Sequence, residues 1–236
     1  MDRNMNYEYY YNNVPKKGKC RNNLIYTSLI SSDYKTFVKW FHNDSDYHKG
    51  KNEVVDPSLM KEKFDQEVRG LLYVVEKGYK NIVPRFDINY KEQKIYFEID
   101  GADLWEQAGC DGKDYSHVLP DWKEQMLDIF SIYKNIGLFK YSLHPSSYFV
   151  INGELKSINY FFSYIQSQDP PLKIRSVLSH ISKERQHKLF QKIEEFQIDI
   201  DSPTPLKKIQ MLAFESFKTN FDNEVMEAAK EIYKDI

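Results

Sequence analysis

Hydrophobic and polar residues alternate in short runs through the N-terminal part of the chain, which predicts strands joined by tight turns around a single helix. Asn23 to Ile30 and Lys35 to Phe41 are β-rich runs separated by Ser31-Ser32-Asp33, a turn-type cluster, so they read as a hairpin. Its second strand is Thr36-Phe37-Val38-Lys39-Trp40-Phe41. A polar loop, His42 to Val55, leads to Asp56-Pro57, where an N-cap residue and a first-turn proline open a helix running to about Gly78. Met60, Phe64, Leu71, Leu72 and Val75 recur at helical spacing and define its apolar face. Glu67 interrupts that face, where a carboxylate is unfavourable unless a cation meets it. Phe86 to Tyr90 and Ile95 to Asp100 alternate again across polar Lys91 to Lys94, giving a second hairpin that Gly101 ends.

Beyond Gly101 the period lengthens to that of helices. Asp121 and Glu124 form a D-x-x-E capping pattern, after which Trp122, Met126, Ile129, Phe130, Tyr133 and Ile136 share one face as far as Gly137. Leu138 to Pro145 reads as irregular. Tyr148 to Ile151 and Leu155 to Ile158 flank Asn152-Gly153, the strongest short hairpin signal. Helices are predicted over Lys183 to Phe196 after Ser182, over Pro205 to Lys218 after Thr204, and from about Asp222 onward. The pattern therefore predicts an α+β chain, strand-rich over 1–100 and mainly helical over 101–236.

Composition narrows the partners. A chain of 236 residues that is 41% hydrophobic, with 18 Tyr and 15 Phe, has too much apolar and aromatic material to remain disordered. The formal net charge of −2 provides no field favouring nucleic acid or an anionic membrane, and Lys16-Lys17-Gly18-Lys19 is too short to change that. Cys20 and Cys110 have neither metal-type nor redox-type spacing, which suits a reducing compartment. Met1 to Asn13 lacks the basic start and apolar run of a secretory signal, and no stretch approaches the roughly 20 apolar residues of a membrane span. The expectation is a soluble cytoplasmic protein with neither a nucleic-acid nor a membrane partner. His42-Asn43-Asp44-Ser45-Asp46-Tyr47-His48 groups two histidines with two aspartates, but such a polar loop is more often solvated than metal-binding. The run Tyr9-Tyr10-Tyr11 can be a partner-binding arm, although an edge strand of the first sheet is the simpler reading.

Two segments carry a resemblance. Ser142-Leu143-His144-Pro145-Ser146-Ser147-Tyr148-Phe149-Val150 is similar to the catalytic loop D-L-[KH]-P-x-N of the protein-kinase-like superfamily, followed by its apolar strand. Gly153-Glu154-Leu155-Lys156-Ser157-Ile158-Asn159-Tyr160-Phe161 resembles the superfamily's G-x-[LV]-K-x-I-D-F-G segment. Upstream, Lys39 looks like the strand lysine that contacts ATP, and Glu67 looks like its helical ion-pair partner. The interval between them is long, and the His42 to Val55 loop can absorb it. His144 is reminiscent of the small-molecule kinase branch, the aminoglycoside phosphotransferase type, without deciding the branch. The resemblance covers roughly residues 20–165, and no A-P-E segment follows. It implies a two-lobed kinase-like fold, with an antiparallel-sheet N-lobe carrying one helix and a mainly helical C-lobe.

The departures bear on chemistry. By that resemblance the catalytic aspartate is Ser142, the metal-binding loop asparagine is Ser147, and the metal-binding aspartate is Asn159. Serine is a very weak base at neutral pH, and loss of a general base costs on the order of 10²–10⁴ in rate. Asn159 lacks the charge that a hard divalent cation prefers. The turn Ser31-Ser32-Asp33 offers no glycine-rich phosphate loop, and Gly18 stands alone. The resemblance therefore implies a pseudokinase that binds or regulates another protein. Lys39 and Glu67 are left as a vestigial nucleotide site, with no resident metal, no required cofactor and at most weak ATP binding. The alternatives are a divergent ATP-dependent phosphotransferase with rewired residues, or an unrelated α+β structural protein, in which Lys39 and Glu67 would lie far apart.

Overall fold

The computed structural model describes residues 7–9, 27–31, 33–42, 57–109, 112–140, 143–175, 183–216 and 221–234. Its strands are β1 (Tyr7–Tyr9), β2 (Thr27–Ser31), β3 (Thr36–Trp40), β4 (Phe86–Asn89), β5 (Lys94–Glu98), β6 (Leu138–Lys140), β7 (Tyr148–Ile151), β8 (Glu154–Ser157) and β9 (Ser163–Ile165). The helices are α1 (Pro57–Glu76), α2 (Leu104–Gln107), α3 (Trp122–Ile136), α4 (Lys183–Glu195), α5 (Leu206–Ser216) and α6 (Asn223–Ile232). Among the described residues, no helix is long and apolar enough to cross a membrane. The chain is mixed α+β and divides into two compact units, one made of Met1–Pro120 with Ser146–Phe161 and the other of Asp121–Pro145 with Phe162–Ile236.

The first unit is built on an antiparallel sheet of order β1-β2-β3-β5-β4. β1 is its edge strand, so the tyrosine run begins in the sheet, while Tyr10 and Tyr11 lie outside the described residues. The expected hairpin is present, with Ser31 and Asp33 turning β2 into β3, and β1 is joined to β2 by residues 10–26, which hold Gly18 and the lysine cluster and are not described. The β2–β3 turn is fastened by Ser31. Its Oγ accepts from the Thr36 amide at 2.9 Å and donates to Asp33 Oδ1 at 2.5 Å.

β3 lies between β2 and β5, so both of its edges are paired, and consecutive buried residues show that both of its faces are covered as well. Alternate residues of a strand share a face, which puts Phe37, Lys39 and Phe41 together. Phe41 meets Phe64 of α1 edge-on at 5.7 Å between ring centroids, so this is the face that α1 covers. Along α1, Met60, Phe64, Glu67, Leu71 and Val74 form a buried stripe that steps alternately by four and three, flanked by buried Lys63, Val68, Gly70 and Tyr73. Leu72, expected on that face, is 36% exposed, and Val75 is only half-buried. The stripe follows the 3.6-residue turn, and Val74 stays on it where Val75 drifts off.

The β7–β8 hairpin completes this unit. Its two-residue turn needs positive φ at both central positions, and Asn152 (φ 53°) and Gly153 (φ 75°) supply them. α2 was not anticipated: Asp103 caps it, its side chain accepting from the Glu106 amide at 2.9 Å.

In the second unit, α3 ends at Gly137 in the left-handed conformation (φ 68°), as its sequence predicts. Its start differs. Asp121 makes no capping bond to the backbone and instead accepts from the Gln125 side chain at 3.0 Å. The stretch expected to be irregular opens with β6, which pairs antiparallel with β9. α6 begins at an aspartate cap, Asp222 accepting from the Val225 amide at 2.9 Å. Trp122 stacks on Phe221 at 5.9 Å, and the Tyr233 hydroxyl donates to the Phe130 carbonyl at 3.1 Å, so α3 and α6 pack together. A further core, with Ile174, Leu189, Ile193, Ile209 and Leu212, is formed around α4 and α5.

Candidate functional site

Within the first unit, the buried face of β3 and the stripe of α1 bring together the two charged residues that the sequence singles out. Lys39 Nζ lies 2.9 Å from Glu67 Oε1, and both side chains are 0% exposed. Lys39 also donates to Asn159 Oδ1 at 2.9 Å. A lysine ammonium can only donate, so this contact fixes the amide's orientation and turns Asn159 Nδ2 toward Ser147, whose Oγ accepts at 2.9 Å. Ser147 and Asn159 are both buried, and the backbone ties them as well, the Ile158 amide donating to the Ser147 carbonyl at 2.8 Å.

Glu67 is held in turn by backbone amides. Its Oε1 accepts the Asn159 amide at 3.0 Å and its Oε2 accepts the Phe161 amide at 2.8 Å. The carboxylate thus clamps the segment after β8 onto α1. Asn159 reaches this arrangement with φ at 66°, a left-handed geometry that asparagine tolerates better than most residues. The Lys39 ammonium also faces the ring of Phe161, 4.4 Å from its centroid, and that of Phe41 at 5.4 Å. Burial pushes Lys39 down from 10.5 to about 8, against the pull of the Glu67 carboxylate, which raises it.

One residue that the sequence reading passed over makes this docking possible. Gly70 follows Glu67 by one helical turn, and a Cβ placed on it would lie 2.4 Å from Cβ of Tyr160. An unexplained glycine inside a helix was the available signal, since it costs about 1 kcal/mol relative to alanine unless packing requires it. Gly70→Ala is therefore expected to lower the free energy of unfolding by about 1–3 kcal/mol in urea titrations, despite the better helix former. A gain in stability would mean that Tyr160 gives way.

Chemically, the cluster is a network of mutually engaged donors and acceptors. The one carboxylate is engaged by Lys39 and two amides, and the neighbouring polar side chains, Asn159 and Ser147, are neutral. Among the described residues, no group of three or more His, Cys, Asp or Glu is placed to hold a metal ion. Ser142 lies outside the described residues, as do residues 43–48 of the histidine–aspartate loop and both cysteines. His42 packs on the Trp40 ring at 4.0 Å, and His144 is half-buried. Comparison with models of known protein families and with curated proteins finds no match to this chain.

Proposed function

We propose that this chain is a catalytically impaired kinase-like protein, a two-lobed pseudokinase that works in the cytoplasm as a binding or regulatory module for another protein. The observation that carries this reading is the neutral pair of Asn159 and Ser147, bonded side chain to side chain beside the Lys39 ammonium. In the resemblance, that lysine serves ATP, and the positions of Asn159 and Ser147 serve metal ions that neutralise the transferred phosphate. Here the two neutral side chains bond to each other, and the lysine is held inward by protein oxygens. The Lys39–Glu67 pair is itself part of such a site, so the loss of chemistry rests on the missing metal-binding carboxylate. The succession of strand pairs, glutamate-bearing helix, second hairpin, long helix and glycine-turned hairpin supports the same reading.

Isothermal titration of the full chain with ATP and magnesium tests it. The expected result is no saturable heat, or a Kd weaker than about 1 mM. Magnesium-dependent release of phosphate from ATP, lost on Lys39→Ala, would replace this reading with that of a divergent phosphotransferase.

A further inference from the structure

We propose that the groove between the Lys80–Ile82 turn and the β7–β8 hairpin is a docking site for an acidic segment of a partner protein, one that sets a bulky apolar side chain beside an aspartate or glutamate. The groove belongs wholly to the first unit and has a volume of about 620 Å³, within the range of roughly 300–1,000 Å³ typical of ligand clefts. Val75, Val83, Pro84, Phe86 and Ile151 line its apolar side. Such a lining suits one large apolar side chain inserted from outside.

The walls are held in place before any partner arrives. Lys156, largely buried on β8, donates both to the carbonyl of Asn81 in the Lys80–Ile82 turn and to the Glu154 carboxylate. This staple ties the hairpin to the turn and uses up the charge of Lys156 on Glu154. What remains at the rim is Lys80, Arg85 and Glu98. Arg85 reaches Glu98 at 3.5 Å with its side chain 86% exposed, a surface pair worth at most about 1 kcal/mol, so its guanidinium can turn to a better-placed carboxylate. Lys80 makes no ion pair among the described residues. The lining therefore carries an excess of one positive charge, from Lys80, Arg85 and Lys156 against Glu98 and Glu154, next to an apolar floor, and its complement is an acidic, apolar peptide.

This proposal extends the reading of the chain as a partner-binding module, and its outcome is independent of the ATP titration because the groove shares no residue with the Lys39 cluster. The test is fluorescence polarisation of the full chain against a capped, dye-labelled Asp-Glu-Leu-Phe peptide, beside Lys-Lys-Leu-Phe and Asp-Glu-Ala-Ala controls. Saturable binding of the first peptide is expected, at least about tenfold tighter than of either control. The Lys80→Glu/Arg85→Glu double variant should weaken it by about tenfold or more, while Lys91→Glu, on the exposed β4–β5 turn, leaves it unchanged. Amide chemical shifts should move at 80–86 and 151–156. Absence of saturable binding, equal binding of the basic peptide, wild-type affinity in the double variant, or shifts confined to other residues would each overturn the proposal.

Discussion

Glu67→Ala is expected to remove about 3–5 kcal/mol from the free energy of unfolding, a large part of the roughly 5–15 kcal/mol that holds a typical domain together. The substitution strands the Lys39 ammonium in a dry interior and takes the acceptor from two backbone amides, those of Asn159 and Phe161. Its reciprocal, Lys39→Met, should cost less, because the carboxylate keeps both amide donors whereas the ammonium in Glu67→Ala loses its charged partner. Urea titrations followed by tryptophan fluorescence will rank the two variants, since Trp40 directly follows Lys39. The expected signature is a lower midpoint at an unchanged slope. A loss below about 1 kcal/mol for Glu67→Ala would show that water reaches the ammonium and that the pair behaves as a surface one.

Alkaline pH is expected to strengthen the fold relative to the Lys39→Met variant. Burial holds Lys39 at about 8 in the folded chain, against 10.5 for an ordinary lysine. Between those values the unfolded chain binds more protons than the folded one, so the stability due to this group rises with pH. Below about 8 the lysine is charged in both states and contributes no slope. The sign is opposite to that of a lysine that gains a partner without being desolvated. When Lys39 loses its proton, Glu67 still accepts two amide hydrogen bonds, so the carboxylate is not abandoned. The gain across the window is at most about 3 kcal/mol, read as the difference in urea stability between wild type and Lys39→Met at matched pH, since the two share every other titrating group. A difference that stays flat or falls through this window would mean that the ion pair retains its proton.

Much of the candidate site could be read from the sequence because charge conflicts with burial. Glu67 on an apolar stripe is such an anomaly, whereas Lys39 stood out only through the resemblance, and the buried pair joins the two. Asn152-Gly153 was equally legible, because few dipeptides accept positive φ twice in succession. The partners of the Glu67 carboxylate were not legible, since they are backbone amides and any sequence after β8 would have supplied them. The β6–β9 pair escaped for another reason: each strand is three residues long, too short for alternation to be seen, and its pairing is defined only by the fold around it. Leu72 and Val74 differ little in hydrophobicity, so only the phase of α1 against the sheet decides which of them is covered.

Neither compact unit is a continuous stretch of chain, because 146–161 belongs with the N-terminal residues while the segments on either side of it belong with the C-terminal ones. A ribosome must therefore deliver Phe161 before the first unit can close, and a nascent or truncated chain that stops earlier carries Lys39 and Glu67 without the amides that hold the carboxylate. Such a fragment lacks two of the donors that hold the Glu67 carboxylate in the interior. Splitting the chain at any one peptide bond therefore breaks at least one of the two units.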